Sequence, residues 1–334
     1  MNLKTALRDS ETATRPYVIV NPLLAKHLPV PPGAAFEYFS RLGKMAAETC
    51  IGEKVLVIGF AETATAVGMA VAAEIDGAVY VHTTREEQPE EGLVSEFLEE
   101  HSHAKNQALY LRKEFGDISG YDRLVFVEDE ITTGKTILNF LKTISYSGKI
   151  TISALVFNEF NPAVFAAYDA RFCCVEQIEA VRRIKAPNLP SPRSGVSAQR
   201  YLESCRAAAV DVTSRIDPED IAGKNVLVLG TEEFMYPALV LGEALEKAAG
   251  SIKTHSTTRS PLLPKPDEGY PFKMRASFTS PYDSERTTFL YNLEKYDTVI
   301  IYTDAKSEPP SELLLELRLR GNLRIYYARV KDED

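Results

Sequence analysis

The sequence predicts an α/β chain in which buried parallel strands alternate with helices, and three observations carry that expectation. Continuous apolar runs recur at residues 54–59 (KVLVIG), 78–81 (AVYV), 124–127 (LVFV) and 149–157 (KITISALVF). Runs of that length without polar alternation fit strands covered on both faces, as in parallel sheets. Polar turns containing glycine or threonine lead from two of them into helical stretches, residues 66–74 and Ile137-Leu138-Asn139-Phe140-Leu141. The same order returns in the second half of the chain, where residues 225–230 read NVLVLG.

Taken in order, the first dozen residues are polar and read as loose. Residues 17–20 (YVIV) make a short strand. Asn21-Pro22 and the cluster at 29–33 (PVPPG) then impose an extended path. Between 34 and 50 the spacing of Phe36, Phe39, Leu42, Met45 and Ala46 predicts a helix. The strand at 54–59 ends in a glycine turn and a polar loop, residues 60–65, before the small-residue helix at 66–74. After the strand at 78–81 come His82-Thr83-Thr84-Arg85 and then residues 86–100, which are acidic, lack a period and read as a mobile loop. His101-Ser102-His103-Ala104-Lys105 follow; an H-x-H pair with no third ligand nearby does not make a zinc site. Residues 171–175 extend the first sheet, and the Pro- and Ser-rich run at 187–197 (PNLPSPRSGVS) reads as a connection. Helix-compatible sequence continues to Val210. The expected division is therefore 1–212 for a first domain, with its linker at 187–212, and 213–334 for a second.

The chemistry is concentrated in residues 124–136, LVFVEDEITTGKT. A buried strand does not bear carboxylates in its middle, so Glu128 and Asp129 belong at its carboxyl end, where open α/β sheets bind ligands. Thr132, Thr133, Gly134, Lys135 and Thr136 then bring backbone N–H groups and hydroxyls to a helix N-terminus, which is suited to an anion. Carboxylates accept hydrogen bonds from sugar hydroxyls while the turn holds a phosphate nearby. A phosphorylated ribose suits both halves. The strand, glycine and loop at 59–65 make a second helix N-terminus of the same kind.

Composition sets the outer bounds. Apolar residues make up 45% and charged residues 25%, ordinary for a globular chain. A net charge of −9 argues against broad nucleic-acid binding, which needs a basic face. Cys50, Cys173, Cys174 and Cys205 show no C-x-x-C spacing, and the N-terminus has no apolar signal segment. No run approaches the ~18 apolar residues of a membrane helix. The expectation is a reduced, cytoplasmic chain without membrane or nucleic-acid partners.

The 124–136 stretch resembles the PRPP-binding signature of type I phosphoribosyltransferases: an apolar strand, two acids, two further residues, then Thr-Thr-Gly-x-Thr. The resemblance implies a Rossmann-like parallel sheet, PRPP with Mg²⁺ held mainly through substrate oxygens, and a nucleobase-like acceptor. It implies that Glu128 and Asp129 contact the ribose hydroxyls and that Thr132, Thr133, Gly134, Lys135 and Thr136 hold the 5-phosphate. It places Glu62, Thr63 and Ala64 in the pyrophosphate loop and Arg85 against the pyrophosphate. In such enzymes a flexible loop closes over the site, which makes His101, His103 and Lys105 candidates there. Glu130 departs from the usual apolar residue, as a third carboxylate over the site or a solvated side chain.

The second half repeats the first. Thr83-Thr84-Arg85 returns as Thr257-Thr258-Arg259, Tyr121-Asp122 as Tyr296-Asp297 and Asp129 as Asp304, at a nearly constant offset. After Asp304, however, residues 305–310 (AKSEPP) replace the Thr-Thr-Gly turn, and prolines supply no N–H donors. The second copy is thus a degenerate α/β repeat without a PRPP loop. Its Thr258-Arg259-Ser260-Pro261 looks like the TRSP motif of a domain fused behind phosphoribosyltransferases in bacterial tellurium-resistance and stress operons. That fusion resembles the chain almost end to end and implies a phosphoribosyltransferase of a nucleoside-like biosynthetic pathway, with a homodimer as the commonest assembly. Arg259 and Ser260 would bind an anionic group of the substrate, contact the first domain or serve structure alone. Two other function classes fit the motif, a PRPP or nucleotide sensor that does not turn PRPP over and a scaffold subunit; pyrophosphate release distinguishes the enzyme from the first, and a partner pull-down separates the second.

Overall fold

In the computed structural model the described residues are 3–8, 17–86, 88, 91–97, 107–179 and 200–328. The chain begins with an antiparallel hairpin, β1 (Lys4–Leu7) with β2 (Tyr17–Val20). Helix α1 (Pro32–Glu48) starts on proline, whose missing N–H costs nothing in a first helical turn. Then follow β3 (Val55–Gly59), α2 (Thr65–Ala73), β4 (Val79–His82), β5 (Gly92–Phe97), β6 (Gln107–Leu111), β7 (Arg123–Ile131), α3 (Lys135–Thr143), β8 (Lys149–Asn158) and β9 (Ala170–Ile178). Helix α4 (Leu202–Thr213) leads to β10 (Asn225–Gly230), α5 (Tyr236–Leu245), β11 (Ser251–Ser256), β12 (Arg275–Thr279), β13 (Thr287–Tyr291), β14 (Thr298–Thr303), α6 (Ser311–Arg318) and β15 (Asn322–Tyr327).

Two parallel sheets result. The first runs β4-β3-β7-β8-β9 and the second β11-β10-β14-β15. In each, the chain steps outward from its first central strand, returns through an antiparallel hairpin (β5/β6 or β12/β13), and continues on the other side. The strand order therefore reverses between β3 and β7, and again between β10 and β14. Such switch points are where open α/β sheets leave a crevice at the strands' carboxyl ends.

The repetition extends to single hydrogen bonds. Asp122 Oδ2 accepts from Lys54 N, and Asp297 Oδ2 accepts from Asn225 N, both at 2.8 Å. Thr83 Oγ1 accepts from Ala61 N and Thr257 Oγ1 from Glu232 N, both at 2.9 Å. Thr83 N donates to Gly59 O as Thr257 N donates to Gly230 O. A duplicated α/β unit is what the sequence offset implied, and these paired contacts are its local rules in three dimensions.

Helices α1, α2 and α5 share one apolar core: Phe39, Leu42, Val67, Met69 and Val71 pack in it with Met235, Tyr236 and Leu239. Helix α4 serves both halves, because Leu202 and Cys205 join that core while Val212 joins the core under the second sheet. Among the described residues no helix is long and apolar enough to cross a membrane.

Two expectations need correction. The N-terminal residues are not all loose: Lys4–Leu7 is a strand, and its Ala6 packs with Leu262, Phe272 and Tyr291 of the second half. Nor is the acidic stretch irregular throughout, since Gly92–Phe97 forms β5. Ser95 and Phe97 face inward there, and the Phe97 ring meets Phe60 and Phe140 at 5.9 and 5.2 Å between centroids. The proline-rich connection at 187–197 lies outside the described residues, as do His101, His103 and Lys105.

Candidate active site

Strand β7 is longer than its apolar run. Pairing with β8 continues through Glu130↔Val156 and Ile131↔Phe157, so the acids sit on the last residues of a fixed strand. Residues 124–127 are buried, whereas Glu128, Asp129 and Glu130 are half-buried at the strand's open end. Gly134 then takes φ 70°, ψ 5°, a left-handed turn that glycine adopts without a Cβ penalty, and α3 starts at the next residue. Thr133 Oγ1 accepts from Lys135 N at 3.3 Å and tightens the turn.

A cavity opens at this end of the sheet, at the β3/β7 switch point. Its lining includes Thr63 from the loop after β3, the three acids, and Thr132, Thr133, Gly134 and Thr136 from the turn after β7. The structure thus brings together seven residues assigned to ligand in the sequence. Glu130 lines the cavity as well, with Oε1 accepting from Asn158 Nδ2 at 2.7 Å. Glu62, Ala64, Arg85 and Lys135 do not line the cavity. The Ala64 N–H is occupied by Phe60 O at 3.1 Å. The rest of the lining was not anticipated: Arg8, Val18 and Ile19 of the N-terminal hairpin, His27, Ile131 and Ile137. Ser260 of the second copy also lines it, one of the alternatives open for that motif.

Residues 3–158 match the family model described as phosphoribosyl transferase, and residues 191–317 match the TRSP domain that lies C-terminal to it. The chain joins a phosphoribosyl transferase domain to a TRSP domain. Among solved structures, adenine phosphoribosyltransferase from Rhodothermus marinus is similar at 16% identity and a TM-score of 0.36, over 53% of this chain and 94% of that one. The enzyme from Trypanosoma brucei, solved with AMP, pyrophosphate and ribose-5-phosphate, is similar at 10% identity and a TM-score of 0.37, over 64% and 88%. Orotate phosphoribosyltransferase from Aeropyrum pernix gives 17%, 0.33, 52% and 88% for the same quantities. No curated protein matched.

In the transferase, Glu62 is turned toward the second half. Its carboxylate takes Lys26 Nζ at 2.5 Å on one oxygen and Arg259 Nε on the other. Arg259 also reaches Glu233 at 2.8 Å, Glu86 at 3.6 Å and Glu232 at 3.8 Å, while Arg286 meets Glu86 at 2.5 Å and Glu232 at 3.5 Å. Thr84 donates to Glu233 at 2.9 Å. Four carboxylates and three cations from both halves form one buried network directly behind the Thr63 loop.

Burial alone would raise the Glu62 carboxyl, but Lys26 and Arg259 overcome it and hold it well below the usual range. Glu233 is likewise held down against burial, chiefly by Arg259. Glu86 goes the other way. Burial lifts it to about 7, Arg286 and Arg259 pulling it down and Glu233 pushing it up. A raised folded-state value means the proton stabilises the fold: that contribution is whole below about 4.5 and is lost as pH climbs through 7. Glu86→Gln is therefore expected to gain on the wild type from pH 5 to pH 8, by up to ~3 kcal/mol in urea unfolding. A stability difference that stays constant over that range would contradict the assignment.

The matching position in the TRSP half is filled by its own side chains. Tyr282 Oη donates to Asp304 Oδ1 at 2.6 Å and lies 2.6 Å from Thr231 Oγ1, which lies 2.8 Å from Thr303 Oγ1. A phenol thus occupies the strand end where the first half leaves its cavity.

Proposed function

We propose that the cavity binds PRPP and that the transferase moves its phosphoribosyl group to a nitrogen of a nucleobase-like acceptor. The observation that carries this reading is the meeting, at one switch point, of Thr63, the Glu128–Asp129 pair and the Thr132-to-Thr136 turn. Glu128 and Asp129 accept hydrogen bonds from the ribose 2′- and 3′-hydroxyls. The turn and the positive end of α3 hold the 5-phosphate. Thr63 stands on the pyrophosphate side, on a loop whose Glu62 is anchored behind it. The acceptor's lone pair forms a bond to ribose C1, and the C1–oxygen bond breaks with its electrons leaving on pyrophosphate. The protein's contribution is alignment and stabilisation of charge.

The donor set of the cavity, carboxylates and hydroxyls, suits a hard divalent cation that keeps much of its water. Mg²⁺ bound with PRPP would supply charge neutralisation on the departing pyrophosphate. A cytoplasmic setting accords with four free cysteines, of which Cys50, Cys173 and Cys205 are buried.

Calorimetric titration of Mg²⁺–PRPP tests the site. Asp129→Asn is expected to weaken binding by about tenfold or more, since a hydrogen bond to a charged group is worth ~1.5–3 kcal/mol. Equal affinity in the two proteins would sink the assignment. Pyrophosphate release on adding a nucleobase separates the enzyme from a sensor that only binds.

A further inference from the structure

The cavity lining also includes residues given no role so far: His27, Ser260, Arg8, Val18 and Ile19. His27 is 7% exposed, and neither Nδ1 nor Nε2 has a hydrogen-bond partner among the described residues. Buried polar groups are normally satisfied, so an orphaned pair on a cavity wall points to a ligand. The ring is fixed from behind by an edge-on contact with Phe272, 6.3 Å between centroids at 78°.

The surroundings decide the class of ligand. The charged and titratable groups around the ring are Lys26, Glu62, His255 and Arg8. Burial, and next the Lys26 charge, push His27 down to about 3, so the imidazole is neutral and offers one N–H donor and one lone pair. Lys26 and Arg8 disfavour a cationic acceptor here, and Glu128, Asp129 and Glu130 of the same lining disfavour an anionic one. Val18 and Ile19 add apolar surface to the lining.

Resting on the phosphoribosyl reading above, we propose that His27 and Ser260 form the acceptor subsite, and that it takes a neutral, planar nitrogen heterocycle. The heterocycle donates an N–H to the imidazole lone pair or accepts from its N–H, while the Ser260 hydroxyl meets a second polar edge. The TRSP half then contributes a substrate-facing residue to a site built mainly by the first half.

The test uses the full chain labelled with ¹⁵N-histidine, with adenine, hypoxanthine and uracil as probes. At least one base is expected to shift the His27 ring nitrogens by several ppm. His27→Ala and Ser260→Ala are expected to weaken that base tenfold or more and tenfold or less respectively, while Mg²⁺–PRPP affinity stays within twofold. His27→Gln, which keeps a donor and an acceptor, is expected to recover part of the loss. No shift with any base, or equal base affinity in wild type and His27→Ala, overturns the subsite. Loss of Mg²⁺–PRPP affinity in parallel with the base would show a structural role and overturns it too. Failure of wild type to bind Mg²⁺–PRPP would instead remove the reading beneath it.

Discussion

Replacing Arg259 with methionine is expected to cost about 3–5 kcal/mol of folding stability, the range for stripping one partner from a buried ion pair. Arg259 is 11% exposed on its side chain and is the cation that Glu62 and Glu233 share. Without it Glu62 keeps Lys26, but Glu233 is left with the Thr84 hydroxyl and the influence of His82 against a full buried charge. The backbone N–H of Arg259 also donates to both Glu62 oxygens at 3.3 Å, and that contact survives the substitution. Adding Glu233→Gln to the methionine variant should therefore restore part of the loss, because the orphaned charge is then gone. The pH dependence has a definite sign. Glu62 and Glu233 are held below their ordinary values, so their stabilisation is present above about 4.5 and lost as pH falls. The gap between wild type and variant should accordingly narrow in acid. Urea unfolding followed by circular dichroism reads both effects. A loss under about 1 kcal/mol would mean that the network is no better than a surface pair.

This network was the part of the molecule least legible in the sequence. Lys26, Glu62, Glu86, the Glu232–Glu233 pair, Arg259 and Arg286 lie in six separate loops, and only the docking of the two halves makes them neighbours. The repeated Thr-Thr-Arg was visible, and so was the glycine that ends β3 and β10. What the pattern could not show was that the second arginine points into the first half's loop. His27 was equally silent. A single histidine after a lysine has no periodicity, and its meaning comes from the cavity beside it. The PRPP-type loop was legible because all its parts are contiguous: strand, acids, turn and helix start must follow one another for the chemistry to work. The sheets were legible for the related reason that each buried strand is one apolar run. Strand β1 escaped because Ala6 is its one buried residue, and its partner surface, Leu262, Phe272 and Tyr291, lies far along the chain.

Gly134→Ala should lower Mg²⁺–PRPP affinity about a hundredfold, more than its effect on stability would suggest. Two costs fall on one residue. At φ 70° an L side chain is strained by ~1–2 kcal/mol. A Cβ built there would also lie 2.8 Å from Phe165 Cε2 and 3.2 Å from Phe160 Cε2, so the aromatic packing or the turn has to shift. Phe165 is 1% exposed and packed against Phe160, Tyr168 and Phe172, which leaves the turn as the softer partner. Moving the turn displaces the N–H groups and hydroxyls of Thr132 to Thr136 together, and an anion site depends on their convergence. Gly77 supplies the control. It has φ 68° and nothing within 4 Å of the point a Cβ would occupy, so Gly77→Ala carries the backbone strain without the contact. The expected pattern is similar destabilisation of the two variants within about 2 kcal/mol, with affinity lost in Gly134→Ala alone. If both variants bind Mg²⁺–PRPP as the wild type does, the turn after β7 does not hold the phosphate. If both lose it, the loss is one of general stability, and the geometry of this turn is not its cause.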